Sequence, residues 1–355
     1  MKLEIKKIEP LLPPVGNEQW IEGSVSTKIG KVGKIKTKLD WKDTLGGFKV
    51  RWGMNRMNYR IEPGIYAAGN PSPDSPVLVS ANYKLTFDIL RKNLSGIDAW
   101  VLILDTKGVN VWCAAGKGTF GTKELVNRIK KVHLEKIVSH NTLILPQLGA
   151  VGVSAFETAK KSGFKVVYGP VRADDLSEYL KNGLQKTEKM SRVFFHLKDR
   201  LAVVPIELVG TKKIFIILSA LCVLFELIST QVFGAAFWKD YALFMGGILS
   251  GAVLTPILLP LIPFRSFALK GFLMGTIWVS FFTYFFLPHL PLPFAADFLL
   301  TASVSSYLAV NFTGATTFTS LSGVKKELKI GLPLMLGGFG IGIILKLLIR
   351  LLVLS

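Results

Sequence analysis

AWVLILDTKGVNVWCAAGKGTFGT, Ala99 to Thr122, decides how this chain folds. Its first seven residues, AWVLILD, are an almost unbroken apolar run that ends in Asp105. Such a run predicts a strand covered on both faces, as in a parallel sheet. Lys107 and Gly108 then allow a turn. Asn110 is a good helix N-cap, so a short helix is predicted to follow with Cys113 in its first turn.

The same alternation continues on either side. VLVS (77–80) predicts a strand and Tyr83–Lys92 a helix. Downstream, Lys123–Val132 carries Leu125, Ile129 and Val132 at helical spacing. TLILPQL (142–148) predicts a strand, Ser154–Ser162 a helix, KVVYGP (165–170) a strand and Asp174–Lys181 a helix. Apolar strands alternating with amphipathic helices predict a Rossmann-like α/β domain with a mainly parallel sheet. Ligands in such sheets bind beyond the carboxyl ends of the strands. GVNVWCAAGKGTFGT and QLGAVG (147–152) both fall at such ends. Residues 1–58, basic and with Trp20, Trp41 and Trp52, show little periodicity and are expected as an N-terminal lobe ahead of an α/β domain at 59–210.

The second part of the chain reads differently. Half of the 355 residues are hydrophobic, and the mean hydropathy of +0.42 is high for a soluble protein. The excess lies after Lys213. Residues 211–355 are expected as an all-α membrane domain with five spans near 214–236, 241–263, 267–287, 294–314 and 330–354, each near the ~20 residues that cross hydrocarbon. Lys212, Lys213, Arg265, Lys270, Lys325, Lys326 and Lys329 fall on one side of these spans, and Lys239 and Arg350 on the other. The positive-inside rule then puts the soluble domain in the cytoplasm and the C-terminus outside, in the cytoplasmic membrane. No apolar h-region of a cleaved signal peptide is evident in MKLEIKKIEPLLPPVG. Most of the net charge of +19 precedes Lys213. With a membrane domain attached, it suits anionic lipid or an acidic partner, and no nucleic-acid partner is expected. Glu226 and Asp297, inside or at the edge of spans, are candidate functional carboxylates or local ion-pair partners. The loop TGATTFTSLSGVKKE (313–327) is polar and expected on the cytoplasmic side.

Cys113 and Cys222 are the only cysteines, and Cys222 lies in an apolar run, so no disulfide is expected between them. Without a CxxC pair, the chain carries no iron–sulfur or zinc–thiolate site of its own. A helix start and nearby Lys117 favour the thiolate of Cys113, which would serve as a nucleophile or a soft-metal ligand. Trp112, Ala114 and Ala115 would form an apolar surface for a large flat cofactor. A buried structural cysteine is the alternative. GKGTFGT is a weak phosphate-loop candidate because it departs from GxxxxGK[ST]. His133, His140, His196 and His289 fit no DxHxxG loop and are expected as surface or capping residues.

The segment Asn110-Val111-Trp112-Cys113-Ala114-Ala115-Gly116-Lys117 resembles, at all eight positions, the cap-helix motif N-[V/I]-W-C-A-[A/G]-G-K of the mercury-methylating corrinoid protein family (HgcA). The layout of an α/β domain followed by five spans is similar too. The soluble part also resembles the corrinoid domain of the corrinoid iron–sulfur protein of acetyl-CoA synthesis. The resemblance implies a base-off corrinoid with the Cys113 thiolate as lower axial cobalt ligand. A strongly donating thiolate suits release of a methyl carbanion equivalent or radical to Hg(II). It further implies a ferredoxin-like partner with two [4Fe–4S] clusters as electron donor, and a methyl donor protein or methyl-folate system. Asn82, Gln147, Gly149 and Gly152, with Gly69 and Asn70, are expected as further corrinoid contacts from strand-end position. Three functions follow: a membrane-anchored methyltransferase acting on Hg(II), a corrinoid methyl carrier of one-carbon metabolism, or a transporter or receptor with a regulatory α/β domain.

Overall fold

The computed structural model describes residues 12, 13, 16, 18–229, 233–315 and 321–354. The chain divides into two compact units, residues 1–50 with 54–193, and residues 51–53 with 194–355.

In the first unit a hairpin of β1 (Ile21–Thr27) and β2 (Gly30–Ile35) leads to α1 (Trp41–Arg51) and β3 (Gly64–Ala68). Then come β4 (Val77–Ala81), α2 (Lys84–Lys92), β5 (Ala99–Leu104), α3 (Val111–Gly116) and α4 (Thr122–Lys131). β6 (Thr142–Leu145), α5 (Ala155–Ser162), β7 (Lys165–Tyr168), α6 (Leu176–Lys181) and α7 (Glu188–Ser191) complete it. The seven strands form one sheet in the order β1-β2-β3-β5-β4-β6-β7. β4, β5, β6 and β7 run parallel, whereas β3 is antiparallel to β5 and β1 to β2. The mainly parallel α/β reading therefore holds for the central block. Residues 21–35 extend the same sheet rather than form a separate lobe. Their backbone pairs through β2 with β3.

The chain passes from β4 to β5 on one side and then crosses β4 to reach β6 on the other. The carboxyl ends of β4 and β6 thus flank a topological switch point, where the connections diverge and leave a crevice. The switch also sends α2 and α4 to opposite faces. Phe87, Leu90 and Leu94 pack with Tyr66, Leu78, Val101 and Ile103 on one. Leu125, Ile129 and Val132 pack with Val79, Leu102 and Leu104 on the other. β5 is buried along its whole length, as its apolar sequence requires.

The second unit is helical: α8 (Leu197–Gly210), α9 (Lys212–Ser229), α10 (Ala235–Leu249), a π-turn at Ser250–Leu254, α11 (Thr255–Ile257), α12 (Phe267–Phe286), α13 (Pro291–Asn311) and α14 (Leu321–Leu354). Among the described residues four helical stretches are long and apolar enough to cross a membrane, and five if α8 and α9, bent by 52°, count as one. The break between units precedes the 210/211 boundary expected from composition, because α8 packs against the π-turn and α11. The expected first span, 214–236, runs through residues 230–232, which lie outside the described residues, as do 316–320 of the polar loop. Lys239 and Asp240, expected between spans, sit inside α10.

Small residues bring these helices together, the packing typical of helices in lipid. A Cβ on Gly271 would lie 2.5 Å from the Ser305 carbonyl oxygen, and one on Gly275 2.9 Å from the Ala302 Cα. The Ser305 and Ser306 hydroxyls donate to the carbonyls of Gly271 and Ala268 at 2.7 and 2.8 Å. At the start of α12 the Glu327 carboxylate accepts from the Phe267 and Ala268 amides, satisfying donors the helix leaves open.

Candidate functional site

The site begins where β5 ends. Lys107 and Gly108 both adopt positive φ, +59° and +72°. A Cβ at Gly108 would also lie 3.2 Å from the Met57 carbonyl oxygen, so glycine is favoured there. Asn82, just past β4, holds this turn. Its Oδ1 accepts from the Thr106 and Gly108 amides, both at 3.0 Å, and its Nδ2 donates to Asp105 at 3.3 Å. The Thr106 hydroxyl donates to the Val109 carbonyl at 2.6 Å. Burial pushes the Asp105 carboxyl up, but the Lys107 side chain and amide outweigh it and hold the group below its ordinary range. Asn82 is only 1% exposed. Its side chain is committed to the turn, which it positions from beneath.

The turn delivers α3. Asn110 caps it, its Oδ1 accepting the Cys113 amide at 2.9 Å. Helical spacing then sorts the motif into two faces. Val111, Ala114 and Ala115 are buried with Phe120 in the core beneath. Trp112, Cys113, Gly116 and Lys117 face outward, Cys113 half-buried and in no disulfide. The expected cofactor surface of Trp112, Ala114 and Ala115 is thus corrected. The two alanines are the packing face and set the depth of the helix, and the outward surface is Trp112, Cys113 and Gly116.

The turn after β6 supports α3 from the side. Gly149 and Gly152, expected as corrinoid contacts, make close packing possible. A Cβ on Gly149 would lie 2.6 Å from the Phe120 ring, and one on Gly152 would lie 2.1 Å from the Phe120 carbonyl oxygen and 3.0 Å from the Ala115 Cα. Gln147 is half-buried and accepts a hydrogen bond from Lys186, whose ammonium pKa burial lowers. Val151 stands 83% exposed beside Gly152.

Between these elements lies an apolar cavity of about 320 Å³. Leu78–Ser80 of β4 and Ile144–Pro146 at the end of β6 form its floor, so it occupies the switch point. Asn110 and Trp112 form one wall, and Ile89 of α2 with Gly169 and Pro170 the others. The last three escaped the sequence reading. Pro170 ends the KVVYGP strand pattern, and Ile89 is an exposed apolar residue on an otherwise amphipathic helix.

Gly69 and Asn70 do not join this site. β3 runs antiparallel to β5, so its end lies beside Ala99, at the opposite edge of the sheet. There the Asn70 amide donates to Asp98 at 2.7 Å and its side chain accepts from Lys34 at 3.0 Å. The histidines are also elsewhere. His140 lies 2.9 Å from the Ser75 carbonyl oxygen, His133 beside Glu135, His196 at the start of α8 and His289 against Tyr284. Among the described residues no three His, Cys, Asp or Glu side chains converge as a metal site.

The α/β unit has recognisable relatives. The family model described as CO dehydrogenase/acetyl-CoA synthase delta subunit matches residues 53–180, from just after α1 into α6. The acetyl-CoA decarbonylase/synthase complex subunit gamma of Archaeoglobus fulgidus is 32% identical over 127 residues, 35% of this chain and 27% of its own length. That of Methanopyrus kandleri is 33% identical over 132 residues, 36% and 28% of the two chains. That of Methanocaldococcus jannaschii is 30% identical over 131 residues, 36% and 26%. The chain therefore spans about a quarter of the length of these relatives. The α/β unit is similar to part of a subunit of acetyl-CoA decarbonylase/synthase.

Proposed function

We propose that this protein is a corrinoid-dependent methyl-transfer protein whose methyl acceptor is inorganic Hg(II). The observation that carries the reading is the outward face of α3. Cys113 stands there with its thiol free of any disulfide, on a backbone fixed by Asn110 and Asn82, beside an apolar cavity at the switch point.

These residues fit a corrinoid. A broad flat cofactor needs an open apolar surface, and Trp112, 37% exposed, and exposed Val151 are apolar groups open to one. A Cβ at Gly116 would meet nothing within 4 Å, so that side of the helix is open to close approach. A cobalt centre in a site with no histidine loop calls for another donor, and the Cys113 sulfur is a soft one. Bound corrinoid supplies a cobalt centre that can hold a methyl group and give it up. The Cys113 sulfur would be the ligand to the metal, Asn110 would hold the helix start that presents it, and Trp112 with the cavity wall would shield the surface from water.

The similarity to acetyl-CoA decarbonylase/synthase subunits supports the methyl-carrier part of this reading. The eight-residue motif Asn110–Lys117 supports Hg(II) as acceptor. The helical unit would anchor the protein in the cytoplasmic membrane, with the soluble unit inside and the C-terminus outside. A ferredoxin-like protein with two [4Fe–4S] clusters would return electrons, and a methyl donor protein or methyl-folate system would reload the methyl group. The relatives favour the second reading, a methyl carrier of one-carbon metabolism with a protein acceptor, over transfer to Hg(II), whose support is the eight-residue motif alone.

The test is binding. The full-length protein in detergent is incubated anaerobically with hydroxocobalamin and reductant, then freed of unbound corrinoid. Co-eluting corrinoid with a cobalt absorption spectrum altered by Cys113→Ala supports the site. No retained corrinoid in the wild type defeats the proposal. Methyl transfer only to an acetyl-CoA synthase-type partner, and none to Hg(II), would select the second reading.

A further inference from the structure

Four charged groups meet inside the helical unit. Lys346 of α14 donates to Asp240 of α10 at 3.0 Å and to Asp297 of α13 at 2.6 Å. Arg350, one turn further along α14, donates to Asp240 at 2.6 Å. They line a cavity of about 330 Å³ that also reaches Lys239 and Thr283. Within the cluster two cations balance two carboxylates, and exposed Lys239 adds a third positive charge at the cavity mouth. The carboxylates already hold protein partners, whereas donors remain. Arg350 carries five N–H groups and directs one at Asp240. Lys239 makes no ion pair among the described residues. The Thr283 hydroxyl, in a residue only 6% exposed, has no hydrogen-bond partner there.

The buried cluster is balanced, so the positive excess comes from Lys239, exposed at the cavity mouth, and it favours an anion there over a cation. A buried hydroxyl without a partner is costly. An anion entering the cavity would meet both the Lys239 ammonium and this hydroxyl. A cation would meet the excess charge with repulsion. The unused guanidinium edge, flat and forked, matches an oxyanion better than a halide. We propose that this cavity is a binding site for a small oxyanion group, a phosphate or carboxylate, held by Arg350, Lys239 and Thr283. The cavity lies where α10 begins, α12 ends and α14 nears its end. The group could therefore belong to a lipid headgroup or to a free anion.

The full-length protein is reconstituted in nanodiscs of phosphatidylcholine alone and titrated with inorganic phosphate against sodium chloride of equal ionic strength. A parallel set of discs contains added phosphatidylglycerol. The proposal expects a saturable rise in melting temperature in one of these arms. Phosphate as the effective agent identifies a free anion, and phosphatidylglycerol identifies a headgroup. Lys239→Gln, at the cavity mouth and outside the ion-pair cluster, should move the midpoint about tenfold to higher concentration, the loss of one charge-assisted contact. Arg350→Gln should abolish the response, and if that variant does not fold, Lys239→Gln decides. No rise in either arm, or an unchanged midpoint in Lys239→Gln, overturns the proposal.

Discussion

The side-chain oxygen of Asn82 accepts the amide of Gly108 at 3.0 Å. This bond joins the end of β4 to the turn that launches α3, and the same oxygen also takes the Thr106 amide. Asn82→Ala leaves these buried donors without a partner, at about 1–3 kcal/mol for each unsatisfied group. It should lower the melting temperature and weaken corrinoid retention, although Asn82 lies beneath the surface where the corrinoid would sit. A melting curve and a corrinoid-retention assay on the same preparation check both effects.

Gly152→Ala should harm the site more than Gly149→Ala. The new Cβ at 152 meets backbone atoms of Phe120 and Ala115, which can move only if α3 moves. At 149 it meets the Phe120 ring, a side chain able to shift. Overpacking of this kind costs about 1–3 kcal/mol. Equal melting temperatures for the two variants would contradict the packing role assigned to Gly152.

Acid should weaken the α/β unit through Asp43. Burial would raise this carboxyl, but hydrogen bonds from Lys84, the Asp40 amide and Arg91 outweigh it and hold the group well below the usual carboxylate range. A depressed folded pKa stabilises the protein above the unfolded value, about 3.9 for aspartate, and that stability is lost as pH falls toward the folded value. Asp43→Asn should therefore be less stable near neutral pH and show a flatter decline below pH ~4. Melting temperatures of both proteins across acid to neutral pH give the comparison.

In the helical unit, Lys346→Met strands the Asp297 carboxylate and leaves Asp240 with Arg350 as its one cationic partner. Breaking a buried pair on one side costs about 3–5 kcal/mol. Asp297→Asn keeps an acceptor for Lys346 and should be milder. Folded yield after detergent extraction should rank wild type above Asp297→Asn above Lys346→Met.

The central strands and helices were legible in sequence because each strand from β4 onward is an apolar run followed by an amphipathic helix. β1 and β2 were not. They lie at the sheet edge, their exposed and buried positions are irregular, and Gly23, Gly30 and Gly33 interrupt any pattern. Position at a strand end marked Asn110, Cys113 and Gln147 as near the site, but also marked Gly69 and Asn70 because sequence does not encode that β3 runs backwards. It could not separate surface from support either. Asn82, Ala114 and Gly152 hold α3 from beneath, which only the buried geometry reveals. Asp297 stood out alone in an apolar run, while its partner Lys346 is 49 residues away.

The most direct measurement supplies membranes containing this protein and a low-potential two-[4Fe–4S] ferredoxin with corrinoid, a methyl donor, reductant and Hg(II), and then assays methylmercury. The account predicts product from the wild type and none above background from Cys113→Ala, with both proteins present in the membrane in equal amounts. Undiminished methylmercury from Cys113→Ala, or none from a wild type shown to hold corrinoid, would contradict it.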